Sequence, residues 1–173
     1  RVAAIINQKH ISKWKQAYMR FGWFDFIDNG SVSRALINIV EQWALECQLK
    51  AVHCPLGFTD LDREGMLIEG FEELGTLATH YNYPYYPEHI ERLGYVKEID
   101  WVEYELIVPL ELDPKITRAV KTILKRNNLS FPKFTTKKQL LKYGAKGFKL
   151  INTEYAHLYG SVPLSDREVD HCI

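Results

Sequence analysis

From Val32 to Cys47 the apolar positions Val32, Ala35, Leu36, Ile39, Val40, Trp43 and Cys47 recur at steps of mostly three and four. That spacing places them on one face of a helix laid against a sheet. Asp28-Asn29-Gly30-Ser31 just before it reads as a turn carrying helix-capping residues. Val2 to Asn7 is almost uniformly apolar, the pattern of a strand covered on both faces. Lys9 to Tyr18 is polar and basic around Trp14 and predicts a mobile connection, whereas Arg20 to Ile27 is an aromatic, strand-like run. Ala51 to Cys54 reads as a short buried strand that Pro55 to Phe58 turns away from the sheet. Residues 59–80 are mostly loop, punctuated by Gly65, Gly70 and Gly75, with Met66 to Ile68 as a short strand. Pro87 suits the first turn of a helix that runs to about Leu93 and stops at Gly94. Tyr95 to Val108 is then expected as a long strand. The order predicts an α/β layered domain over residues 1–110.

Residues 111–173 are expected as a separate unit. Asp113-Pro114 opens a helix to about Asn127, Ser130 to Thr136 reads as a short strand, and Thr136 begins a basic amphipathic helix reaching about Tyr159. Ser165-Asp166-Arg167-Glu168 has the form of a capping box at one more helix start. The chain is expected to be a fragment of a longer protein, because it opens directly on a strand without an initiator Met.

Charge narrows the partners. With 22 basic and 22 acidic residues, the net charge advertises neither a nucleic-acid nor a membrane surface, and neither partner is expected. No apolar run approaches the roughly 20 residues of a membrane span. Cys47, Cys54 and Cys172 are odd in number and lack CxxC spacing, which suits reduced thiols in a cytoplasmic setting.

The run "IERLGYVKEIDWVEYEL", with Asn82 upstream, is similar to the closing helix and next strand of the GNAT superfamily of acyl-CoA N-acyltransferases. "CPLGFTDLDREGMLIEGF" and "YNYPYYPEHIERLGY" together resemble a little-characterised bacterial group of GNAT-like proteins with a second GNAT-like segment. The resemblance implies a GNAT-like fold lacking its N-terminal elements over 1–110. It places the start of a second GNAT-like half in 111–173, beginning near "INTEYAHLYGSVPLSDREVD". It implies acyl transfer from acetyl-CoA or another acyl-CoA to a small-molecule amine.

The same resemblance nominates residues. In the superfamily a glycine-rich strand-to-helix junction holds the pyrophosphate of coenzyme A on backbone amides at a helix N-terminus. Here the junction is "FIDNGSVSRAL", so Gly30, Ser31, Val32 and Ser33 are the candidate cofactor-binding positions, joined by Asn82. Asp28 and Ser31 are expected to compete for those amides. The tyrosine that many members carry four residues before the closing glycine is Ile90 here. Tyr85 and Tyr86, fixed beside Pro84 and Pro87, are the candidate general acids; pocket lining and core packing are equal alternatives for them. In the acidic loop, Asp62, Glu64 and Glu69 are candidates to recognise an amine or accept its proton, with Asp60 to Arg63 the preferred site segment and a solvated turn that caps itself the favoured alternative.

Asp60, Asp62, Glu64 and Gly65 fit part of a calcium-loop pattern, but Phe71 stands where its bidentate Glu belongs, so no metal site is expected. His53 and Cys54 are sequence neighbours on a strand and face opposite ways, which disfavours a Cys–His pair. A GNAT-like module that has lost cofactor binding and serves as a ligand-binding or structural partner is the rival to the acyltransferase.

Overall fold

The computed structural model describes residues 1–59, 61–76 and 79–172. Its described residues form a mixed α/β structure: a three-stranded sheet, in the order β1-β2-β3, and six helices. Strand β1 (Ala3–Ile5) runs antiparallel to β2 (Tyr18–Gly22), with Ala4 opposite Phe21. Strand β3 (Ala51–His53) lies parallel to β2 on its other side, with Arg20 opposite His53.

Between β1 and β2, where the sequence predicts a mobile connection, the chain forms helix α1 (Gln8–Trp14). The Asn7 side chain caps it, accepting from the His10 amide at 3.1 Å. His10 is its one buried residue. A cap and one inward side chain are local devices that average polarity conceals.

Helix α2 (Gly30–Glu46) is where periodicity places it, although its inward face is rotated. Ser33, Ile37, Val40 and Ala44 are buried, whereas Ile39 and Trp43 are exposed. Ile37, Val40 and Ala44 join Met19 and Phe21 in one core, while the Ser33 hydroxyl meets His89. Phe24, Phe26, Tyr86 and Ile90 complete the same core. Helix α3 (Tyr85–Arg92) supplies the last two and ends before Gly94, whose φ of +95° suits glycine.

Residues alternate across the pleat, so Arg20 faces away from the core that Met19 and Phe21 enter. On that second face lie His10 and the chain around Gly160 and Ser161: Trp14 Nε1 donates to the Ser161 carbonyl at 2.9 Å, and Arg20 Nη2 to the Gly160 carbonyl at 2.7 Å. Val162 and Leu164 are buried there too.

The expected long strand over Tyr95–Val108 does not form. Its apolar residues Val96, Val102, Leu106 and Ile107 are exposed. Side-chain contacts take the place of a ladder: Trp101 lies against Gly65 and Tyr159, and Glu103 accepts from Thr76 and Thr79. β-propensity alone forms no strand without a neighbour to complete the hydrogen bonds. Met66 to Ile68 and Ser130 to Thr136 are likewise not strands. Helix α4 (Pro114–Arg126) is capped by Asp113 as its sequence predicts, α5 (Lys137–Glu154) by Thr136, and α5 ends short of Tyr159. The capping box is made at α6 (Asp166–Cys172): Ser165 donates through both amide and hydroxyl to Glu168. Lys9 and Ser165 together hold the Glu168 carboxyl down at about 2.

Strand β2 ends at a tight approach. A Cβ on Gly22 would sit 2.7 Å from the Leu56 carbonyl oxygen, beside the bond from the Leu56 amide to the Phe21 carbonyl. Gly22→Ala is expected to lower stability by about 2 kcal/mol through this overlap, read as a lower urea midpoint with an unchanged m-value.

Candidate functional site

The parallel β2-α2-β3 unit brings the C-terminal ends of two strands and the N-terminus of α2 to one edge, where ligands of open α/β sheets gather. Two cavities open from this region. The larger, about 1950 Å³, runs along β3 and is walled by His53 to Leu56, the 61–70 loop and residues 93–103. The smaller, about 420 Å³, lies at the start of α2.

In the larger groove Glu98 is half-exposed, and its Oε2 lies 3.4 Å from His53 Nε2. Tyr159 stands behind, its hydroxyl 2.8 Å from the same nitrogen. Burial lowers the His53 pKa more than Glu98 raises it, and Arg20 lowers it further, so the imidazole is neutral near pH 7. Burial also raises the Tyr159 phenol, which stays protonated. The result is a carboxylate at a groove wall held against a neutral imidazole and a phenol, an arrangement able to accept a proton from a bound group.

The His53 ring lies beside His10, their centroids 6.3 Å apart. Arg20 is 1% exposed, and its guanidinium donates to the carbonyls of Gly57 and Gly160 and to His10 Nδ1, at 3.2, 2.7 and 2.6 Å. The His10–Arg20 bond requires the Nδ1 lone pair, so His10 is neutral here. Burial first, then Arg20, lowers its pKa to about 4. A pKa depressed from 6.5 means that the unfolded chain binds the proton more readily. The associated stability is therefore whole above pH 6.5 and is lost as pH falls through about 4. The expected loss is on the order of 3 kcal/mol. Urea titrations at pH 7 and pH 4.5 should show it, and His10→Gln, which keeps an acceptor for Arg20 without titrating, should flatten the slope.

The smaller cavity holds most of the nominated cofactor positions. Asn29 caps α2: its side chain accepts from Ser31 N at 2.9 Å, and its carbonyl accepts from the amides of Val32 and Ser33 at 3.0 and 3.1 Å. The competitor for these amides is Asn29, not Asp28 or Ser31. Asp28 instead meets His89 Nε2 at 2.9 Å, while His89 Nδ1 meets the Ser33 hydroxyl at 2.8 Å. A Cβ on Gly30 would meet nothing within 4 Å, so sterics do not demand glycine there. Arg34 and Arg92 also line this cavity, Arg92 paired with Glu88.

Tyr85 and Tyr86 line neither cavity. The Tyr85 hydroxyl donates to the Phe26 carbonyl at 2.7 Å, and the Tyr86 hydroxyl donates to Asp25 at 2.9 Å while accepting from the Phe26 amide. Burial raises both phenols, Tyr86 to about 12. These rings staple α3 to the segment leaving β2. Asn82 is buried and bonds both backbone groups of Leu67. Asp62 lines the large groove, but its Oδ2 caps its own loop by accepting from the amides of Phe58 and Thr59. Asp60 lies outside the described residues. Cys54 packs against the core opposite His53, and burial drives its thiol far upward, away from nucleophilic use. No group of three metal-ligating side chains occurs among the described residues.

His53, Glu98 and Tyr159 went unnominated because they are far apart in sequence. One signal was present: Arg20 is a lone charge inside the apolar run "YMRFG". No helix among the described residues is long and apolar enough to cross a membrane.

No family model matches the chain, and no solved structure matches it. Among curated proteins it is similar to Protein YghO of Escherichia coli (strain K12), 26% identical over 172 residues. The match covers 97% of this chain and 43% of that protein, so the chain spans less than half of its relative.

Proposed function

We propose that the chain belongs to a GNAT-like N-acyltransferase moving an acyl group from an acyl-CoA to an amine. The observation that carries this reading is the groove along β3, with Glu98 on its wall and His53 and Tyr159 behind. The donor supplies the thioester carbonyl. The amine nitrogen attacks that carbonyl, the C–S bond breaks, and Glu98, held by His53, takes the proton the amine loses and returns it to the departing thiolate. Arg34, Arg92 and the Gly30 backbone in the adjoining cavity are the groups suited to a phosphate.

A second reading, a GNAT-like module that binds ligand without catalysis, draws on a specific observation. The first-turn amides of α2 that would cradle a pyrophosphate are engaged by Asn29. Calorimetric titration of acetyl-CoA and longer acyl-CoAs separates the two. Micromolar binding weakened by Arg34→Ala supports transfer, and an amine screen follows. Absence of binding at millimolar donor favours the non-catalytic module.

A further inference from the structure

The neutral total charge averages two opposite regions. Between Pro114 and Leu150 there are eleven Lys and Arg residues and no Asp or Glu, which leaves the rest of the chain with an equal excess of acid. None of those eleven cations forms an ion pair among the described residues. No residue of α4 is buried. Its Ile116, Val120 and Ile123, at i, i+4 and i+7, form a stripe that is 53%, 44% and 53% exposed. Arg118, Lys121 and Lys125 occupy the opposite arc at ~100° per residue. Leu112, Leu129 and Phe131, just beyond the helix ends, are exposed as well. Lys138, Lys142, Lys146 and Lys149 make a second basic stripe on α5, spaced four, four and three apart.

We infer that α4, assisted by the lysine stripe of α5, lies on the surface of an anionic lipid bilayer. An apolar stripe backed by cations suits the boundary between acyl chains and phosphate headgroups, where both faces are satisfied at once. A nucleic-acid backbone would engage the lysines and leave Ile116, Val120 and Ile123 in water. Charge acts locally, within a Debye length of about 10 Å, and the acidic residues nearest in sequence, Glu111, Asp113 and Glu154, border the basic stretch without interrupting it. This inference is independent of the acyl-transfer reading.

The test is co-sedimentation of the chain with vesicles of phosphatidylcholine alone and of phosphatidylcholine mixed with phosphatidylglycerol. Binding is expected only to the mixed vesicles and should weaken in high salt. K121E/K125E and I116S/I123S should each reduce it by roughly tenfold. All four positions are exposed, so circular dichroism should be unchanged. Equal binding to both vesicles, binding to neither, or mixed-vesicle binding that I116S/I123S leaves intact would overturn the inference. Tight binding to duplex DNA that is insensitive to I116S/I123S would identify a polyanion surface instead.

Discussion

Arg20→Ala is expected to cost about 3–5 kcal/mol, enough to unfold a domain of ordinary stability. The substitution removes the donor shared by the Gly57 and Gly160 carbonyls and by His10, and leaves those acceptors buried. Arg20→Met fills the same volume and restores none of those bonds. It should recover part of the loss by packing, because a buried guanidinium is itself costly to desolvate. Urea denaturation of both variants gives the measurement. Equal stability of wild type and Arg20→Ala would mean that the second face of the sheet is not held by this clasp.

The second large effect concerns rate. Under the acyl-transfer reading, Glu98→Gln should lower kcat by about 10²-fold or more while leaving KM nearly unchanged, since the lost interaction belongs to proton transfer. His53→Gln should lower kcat as well and should also alter the pH profile of kcat. The neutral imidazole titrates below 6.5, and its acid limb should disappear with it. A Glu98→Gln enzyme with full kcat would remove the groove wall from the mechanism, whatever acyl-CoA binding shows.

What the sequence disclosed depended on range. Helices α2, α3 and α4 and the Ser165–Glu168 box were legible because caps and periodicity act within a few residues. Tyr95 to Val108 was misjudged because a strand is a property of two segments, and residues 93–103 stand across a groove from β3. The tyrosines carried real information, but their hydroxyls close on Phe26 and Asp25, some 60 residues away, which no local pattern encodes. His53, Glu98 and Tyr159 were invisible for the same reason.

The clasp over the sheet has a consequence for synthesis. Arg20 meets Gly160 and Trp14 meets Ser161 across separations of 140 and 147 residues. While the chain emerges from the ribosome, the Arg20 guanidinium waits for a further 140 residues before its cover is made. The core of α2, α3 and β2 can assemble early from nearby segments, but the opposite layer closes after it. Pulse proteolysis of stalled nascent chains should show protection around Arg20 only after residues 158–164 have cleared the exit tunnel.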